Sequence, residues 1–145
     1  IIFTATDLLA DTKLAPELSN EAHYYRAKAY LDAGKTDGAM EDLKVLAKDT
    51  RNVYGAEAKY KVAQIYFDGG QTDKAEQEVL NYIEVSTPHT YWLARSFVLL
   101  ADVYMKLGRN LDAKQYLLSL KQNYQADDDI AGMIESRLEK LKTEN

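Results

Sequence analysis

The chain has few side chains of the kinds that bind metals or act as nucleophiles. It contains no cysteine and only two histidines, His23 and His89, which are far apart in sequence. A helical zinc motif needs two histidines one turn apart, so that motif is missing. Carboxylates are plentiful, but no spacing among them singles out an acid–base pair. We therefore predict no catalytic residue, no metal site and no cofactor, and we predict that this segment is not an enzyme.

The run Asp127-Asp128-Asp129 is the strongest candidate for ion binding, because carboxylates are the ligands of calcium. An EF-hand loop places its ligands at alternate positions rather than in an unbroken run. Aspartates at the beginning of a helix accept bonds from its free N–H groups and complement its dipole. We interpret this run as the start of a helix rather than as a calcium site.

Composition restricts the classes of partner. The 145 residues carry a formal net charge of −5, whereas nucleic acids and anionic membrane surfaces attract basic proteins. We therefore predict no nucleic-acid partner. The apolar run 97–101 ends at Asp102 and is far shorter than the roughly 20 residues that span a bilayer, so we predict no membrane insertion by this segment. The chain begins with Ile1 rather than Met, and we expect it to be a piece of a longer protein.

An internal repeat identifies the elements that must position any functional side chain. Four residues return in register, with steps of 36 residues (30 to 66) and 38 residues (66 to 104). The first copy has Ala27, Tyr30, Gly34 and Ala39, the second has Ala63, Tyr66, Gly70 and Ala75, and the third has Ala101, Tyr104, Gly108 and Ala113.

Each repeated position has a physical role in a pair of helices joined by a tight turn. The alanines let two helices approach closely, and the tyrosine fills the space between hairpins while its hydroxyl reaches a polar partner. The glycine accepts the left-handed conformation that often ends a helix. The residues two positions after the glycines are typical N-caps, so we expect them to begin a second helix. They are Thr36, Thr72 and Asn110.

This pattern resembles the tetratricopeptide repeat, in which a small residue, a tyrosine, a glycine and an alanine recur at these spacings. The resemblance implies an all-α fold, an α-solenoid of tetratricopeptide-like helical hairpins that forms an α–α superhelix. Three features depart from the family pattern. The aromatic residue near the start of the first helix is replaced by His23 and Lys59 and kept only as Phe97, Arg26 stands where leucine is usual, and the steps exceed the usual 34 residues.

We divide the chain into five segments on this basis. Residues 1–18 are expected to hold the second helix of a preceding partial repeat, over 3–14 and ended by Pro16. Residues 19–54, 55–90 and 91–126 are expected to form three full repeats. Residues 127–145 are expected to form a C-terminal capping helix that closes the last hairpin, because its apolar residues recur with helical spacing.

The resemblance also implies a concave groove lined by the first helices of successive repeats. The inward positions of the family give a mixture of aromatic, flexible apolar and charged residues, which suits peptide binding. An alternative for Leu31, Phe67 and Met105 is that they pack against the next repeat. Asp32 and Asp68 argue against a clamp for a peptide C-terminus. The predicted groove residues are Tyr24, Lys28, Leu31, Asp32, Tyr60, Gln64, Phe67, Asp68, Val98, Asp102, Met105 and Lys106.

Trp92, the only tryptophan, follows Pro88 at the predicted join before the third repeat. A tryptophan beside a rigid proline could form a recognition patch at the edge of the loops. We favour the other interpretation, in which Trp92 fills the junction between two hairpins.

We predict a protein-interaction scaffold that binds a peptide or a partner protein through the groove or its edges. Two alternatives stay open, namely a regulatory or substrate-positioning arm of an enzyme and a structural segment that self-associates into a homo-oligomer. The style of the repeats is also similar to that of tetratricopeptide proteins of the bacterial cell envelope. That similarity favours a periplasmic or cell-envelope location and leaves the cytoplasm open.

Overall fold

The computed structural model describes residues 2–11 and 13–143, without the side chain of Phe3. This part of the chain folds into eight α-helices and contains no β-strand. The predicted all-α class is therefore confirmed. The helices are α1 (Ile2–Leu9), α2 (Pro16–Asp32), α3 (Thr36–Leu46), α4 (Val53–Asp68), α5 (Thr72–Val85), α6 (Thr90–Lys106), α7 (Asn110–Asn123) and α8 (Ile130–Thr143).

Three hairpins, α2/α3, α4/α5 and α6/α7, close at the repeated glycines. Gly34, Gly70 and Gly108 have φ of 74°, 79° and 76°, the left-handed conformation predicted for them. The N–H that follows each glycine donates to the carbonyl of the repeated tyrosine, as Lys35 does to Tyr30 at 2.8 Å. This is the hydrogen bond that terminates a helix in a Schellman motif. The recurring Tyr and Gly thus define one turn, used three times.

The predicted N-caps of the second helices are wrong by one residue. Thr36, Thr72 and Asn110 are the first helical residues, and none of their side chains caps its helix. The cap positions fall on Lys35, Gln71 and Arg109 instead, whose ψ values of 72°, 64° and 63° are not helical. Lysine and arginine side chains have no acceptor and the Gln71 side chain makes no capping bond, so each second helix begins without a side-chain cap.

The first helices form the inner layer of the stack. Helices α2, α4, α6 and α8 each pack against the next member of this series. Within the described residues, the backbone of α3 does not approach that of α5, nor that of α5 the backbone of α7. Because the first helices touch one another and the second helices do not, the stack curves with the first helices on its concave side.

Two apolar clusters fill the interior. The larger joins α4 to α8 and includes Tyr82, Leu100, Leu117 and Ile134, all of them almost completely buried. The smaller lies among α2, α3 and α4. Trp92 packs against the larger cluster with its ring 5.7 Å from that of Tyr60, so the prediction that it fills a junction is confirmed.

Two residues that depart from the family pattern, His23 and Lys59, pair with side chains on the second helix of the same hairpin. His23 Nδ1 lies 2.7 Å from Asp42, and Lys59 Nζ lies 2.7 Å from Glu78. In the third hairpin the same two positions hold an aromatic pair, with ring centres 6.2 Å apart, namely Phe97 and Tyr116. One contact between paired helices is therefore made through a carboxylate in two repeats and through an aromatic pair in the third.

The two ends of the stack differ from the sequence-based expectation. Helix α1 ends at Leu9 rather than at 14, and Pro16 begins α2 instead of ending α1. Proline is favoured in the first turn of a helix because the N–H that it lacks has no helical partner there. At the other end, α8 packs against α6 as well as α7, so it extends the inner layer besides covering the last hairpin. Residues 1, 12, 144 and 145 of the two predicted terminal segments lie outside the described residues.

Candidate protein-binding groove

The predicted groove residues lie along the first helices, and most of them reach the surface. Four are fully exposed, namely Lys28, Asp32, Asp68 and Lys106. Six are partly buried, namely Tyr24, Leu31, Gln64, Phe67, Asp102 and Met105. Leu31 packs beside the smaller apolar cluster, and Phe67 and Met105 pack beside the larger one. These three side chains therefore support the junctions and still present part of their surface to solvent.

Two predicted residues require a correction. Val98 is 2% exposed and Tyr60 is 8% exposed, and both belong to the larger apolar cluster. Their position relative to the repeated tyrosine is the inward one, but α6 packs closely enough against α4 to cover both. Neither offers an open surface to a partner, so the candidate groove does not include them.

The helices α2 and α4 are linked across the groove by Tyr24. Its hydroxyl donates to both carboxylate oxygens of Glu57, at 3.0 and 3.1 Å, and Lys61 lies 2.6 Å from the same carboxylate. Burial and then the charge of Glu57 raise the pKa of Tyr24 to about 12. Tyr24 therefore stays neutral at ordinary pH and acts as a hydrogen-bond donor that fixes the spacing of the two helices.

The helices α4 and α6 meet through Arg95, which the sequence did not single out. Its guanidinium lies 5.2 Å from the ring centre of Tyr60 and 6.0 Å from that of Trp92. A cation over aromatic faces is attracted by their negative potential. Arg95 Nη1 also donates to the hydroxyl of Tyr91 at 2.9 Å. The only indication of this role in the sequence was that Arg95 lies one helical turn before Val98, a predicted groove residue.

The helices α6 and α8 are linked by an ion pair. Arg137 donates from Nε and Nη2 to the two oxygens of Asp102, both at 3.1 Å. Near the start of α8, the Tyr91 hydroxyl donates to Asp129 at 2.9 Å. The sequence analysis treated α8 as a cap and assigned no residue of it to the groove. The structure adds Arg137 and its neighbours to the concave surface.

A cleft of about 520 Å³ opens between α4, α6 and α8. Its apolar lining comes from Phe67 and Met105, and its charged lining from one carboxylate and three cations. The lining residues are Phe67, Asp102, Met105, Lys106, Ser136, Arg137 and Lys140. We call this the C-terminal cleft.

A second cleft of about 560 Å³ lies between the first two hairpins, beside their turns. It is apolar at Leu31, Met40, Ile65 and Tyr66, and its charged residues are both acidic. The acidic residues are Asp37 and Asp68. We call this the turn cleft.

The side chains first considered for chemistry have structural partners. His23 pairs with Asp42, and His89 Nε2 lies 2.9 Å from the carbonyl of Arg51. Asp128 accepts from the N–H of Ile130 at 2.9 Å, which places the acidic run at the start of α8 as predicted. Within residues 2–11 and 13–143, no group of three His, Cys, Asp or Glu residues is arranged to hold a metal ion. In the same residues, no helix combines the length and the apolarity needed to cross a membrane.

Comparison with known proteins agrees with this geometry. Two family models described as tetratricopeptide repeat match the chain, at residues 21–49 and 94–123. These segments cover most of the α2/α3 and α6/α7 hairpins, and α4/α5 between them has the same form. No curated protein and no solved structure gives a significant match. The resemblance to cell-envelope proteins stays a prediction. The hairpins, their repeated turns and the two matches show that the chain carries tetratricopeptide repeats, which are in general modules of protein–protein interaction.

Proposed function

We propose that the concave surface of α2, α4, α6 and α8 binds an extended segment of a partner protein. The observation that carries the proposal is a continuous inner layer of four helices with two clefts, each partly apolar and partly charged, the turn cleft being shared with α3. Interfaces draw their affinity from a few apolar anchors, while charged groups around them select and orient the partner.

Contacts within the protein support the proposal because they shape the surface before a partner arrives. Tyr24 with Glu57 and Arg137 with Asp102 hold neighbouring first helices at fixed spacing. A surface that is already ordered loses less conformational entropy on binding. These contacts therefore position the groove and orient the side chains that would meet the partner.

The apolar anchors of the proposed interface are Leu31 in the turn cleft and Phe67 and Met105 in the C-terminal cleft. All three are partly exposed and stand beside charged residues on the same helices. Asp32 follows Leu31 directly, and Lys106 follows Met105. This alternation lets one segment bury an apolar side chain and place a polar one at the rim.

Selection from a random nine-residue peptide display library on the immobilised chain tests the proposal. Enriched peptides are labelled, and their affinity is measured by fluorescence polarisation for the wild type and for Leu31→Ala/Phe67→Ala. We expect the double variant to bind at least about tenfold more weakly, because both anchors are shortened.

The matched control is Leu111→Ala/Leu118→Ala, which shortens two exposed leucines on the second helix α7. We expect this control to keep its affinity within about twofold. Far-UV circular dichroism and thermal melts report whether each variant is folded. Enriched peptides that bind the folded groove variant as tightly as the wild type would contradict the groove proposal.

A further inference from the structure

The C-terminal cleft has a charge opposite to that of the protein as a whole. The chain carries a formal net charge of −5, yet among the described residues the cleft has Lys106, Arg137 and Lys140 against a single carboxylate, Asp102. We infer that this cleft recognises an acidic segment of the partner, with an apolar side chain next to the carboxylates. This inference rests on the proposed function and names the chemistry of its partner.

Two of the three cations are available to a ligand. Among residues 2–11 and 13–143, no ion pair within 4.0 Å involves Lys106 or Lys140. Both side chains are exposed, and they stand on different walls of the cleft, Lys106 on α6 and Lys140 on α8. A segment lying in the cleft would therefore meet a positive charge on each side.

The third cation is held in place by the protein. Arg137 uses Nε and Nη2 for Asp102, a side-on pair that fixes the plane of the guanidinium. Its Nη1 has no hydrogen-bond partner among the described residues. An oriented arginine donor binds a carboxylate more strongly than a mobile one because less freedom is lost. Asp102 thereby acts as a positioning residue for the site.

The apolar part of the cleft sets the second requirement on the ligand. Phe67 from α4 and Met105 from α6 line the same space as the three cations. Methionine adapts its shape to different apolar groups, and phenylalanine offers a flat face. An acidic segment without an apolar side chain would leave this surface exposed to water, so we expect the two features together.

The carboxylates are expected to come from side chains within a segment rather than from a chain end. Lys106 and Lys140 are both exposed on opposite walls, so they form a broad positive rim that several acidic side chains can share. A buried set of amide and hydroxyl donors around one point would favour a single terminal carboxylate. Among residues 2–11 and 13–143, the only neutral polar side chain in the lining is that of Ser136, and it is exposed.

The turn cleft provides a contrast within the same molecule. Its charged lining residues are Asp37 and Asp68, and the ammonium groups of Lys44 and Lys74 lie 5.6 and 5.7 Å from the ring centre of Tyr66, so its charge is mixed rather than positive. The different charges of the two clefts would give a segment that reaches both of them one direction along the groove. The acidic part of that segment is expected at the C-terminal cleft.

The peptide selection is repeated with Lys106→Glu/Lys140→Glu and with the control Lys48→Glu/Lys114→Glu. The control reverses two exposed lysines at the end of α3 and on α7, so both variants change the net charge equally. We expect peptides enriched on the wild type and on the control to combine Asp or Glu with a neighbouring apolar residue. Their affinity should fall at least about tenfold in the cleft variant and should also fall as sodium chloride is added.

The other possible results test separate parts of the proposal, namely the acidic preference, the source of the carboxylates and the groove itself. Enriched peptides that are neutral or basic, or that bind the folded cleft variant as tightly as the control, overturn the acidic preference. In that case the loss of binding in Leu31→Ala/Phe67→Ala still supports the groove. Peptides that bind only with a free C-terminus, and not as the amide, overturn the choice of side-chain carboxylates. No enrichment on the wild type above the empty support contradicts the groove and the acidic preference together.

Discussion

At the scale of single residues, the polar contact between α2 and α3 around Asp42 is the most instructive feature. Asp42 is 1% exposed, and it accepts from Arg26 Nε at 2.8 Å and lies 2.7 Å from His23 Nδ1. Arg26 also donates to the hydroxyl of Thr6 on α1, at 3.2 Å. The two residues that depart from the family pattern in the first repeat thus share one buried carboxylate. The departures are compensated, because a buried charge is tolerated only when it is paired.

Asp42→Ala is therefore expected to lower the free energy of unfolding by about 1–3 kcal/mol, because it removes a buried carboxylate and leaves the partly buried Arg26 and His23 without their shared partner. The measurement is urea unfolding followed by circular dichroism. Transplanting the third repeat into the first, as His23→Phe/Arg26→Leu/Asp42→Tyr, is expected to be neutral or stabilising, since a well-packed apolar group often equals a buried ion pair. A triple variant as unstable as Asp42→Ala would show that the ionic form is required.

At the scale of the elements, the joins between hairpins depend on close approach. Helix α4 follows α3 after the short segment 47–52. The Asn52 side chain caps α4 by accepting from the N–H of Tyr54 at 2.8 Å. A Cβ at Gly55 would lie 1.9 Å from the carbonyl oxygen of Asp49 and 2.6 Å from that of Leu46. Backbone atoms cannot move aside as a flexible side chain can. The absence of a side chain at this position sets the angle between the first two hairpins.

Gly55→Ala is expected to destabilise the protein by about 3 kcal/mol or more, because it forces α4 away from α3. Chemical unfolding measures the loss. Gly132→Ala is the matched control, since it lies on the exposed side of α8 with nothing within 4 Å of its added Cβ. Removing a glycine from an exposed helix is expected to stabilise by about 0.5–1 kcal/mol. Equal effects of the two substitutions would count against the close approach at Gly55.

At the scale of the whole molecule, tyrosines hold the stack together in their neutral form. Burial is the largest cause that raises the pKa of Tyr24, Tyr82, Tyr104 and Tyr124 to about 12 each. They are spread over α2, α5, α6 and the segment after α7. Tyr24 bridges two first helices, and Tyr82 donates to the carbonyl of Ala56 at 3.0 Å. Alkaline pH should therefore weaken the contacts of several helices together.

The sign of this effect follows from the raised pKa values. An unfolded tyrosine loses its proton near pH 10, whereas these folded tyrosines keep theirs to about 12. The stabilisation is complete below about pH 10 and is lost as the pH rises from about 10 to 12. Urea midpoints measured across this window should fall, while tyrosinate absorbance shows a fraction that titrates late. A urea midpoint that stays constant up to pH 12 would contradict the raised pKa values of these tyrosines.

The sequence determined the hairpins, because their causes are local. Gly34 and its equivalents supply the left-handed turn, and the small and aromatic residues around them fix which faces of two consecutive helices meet. The resemblance to the tetratricopeptide repeat supplied the inward positions of the first helices, and their role as a groove stays a prediction. The charge pattern at Asp127 likewise predicted where α8 begins.

Only the tertiary structure decided how open that groove is and what lines its end. Tyr60 and Val98 take inward positions but are buried. How closely α4 and α6 pack depends on many side chains that are distant in sequence, so the burial of these two residues could not be predicted locally. Arg137 and Asp102 are 35 residues apart, and no local pattern links them. The sequence predicted a capping helix at the end of the chain. Packing α8 against α6 as well as α7 turned that helix into a wall of the C-terminal cleft, and the positive charge of the cleft depends on that contact.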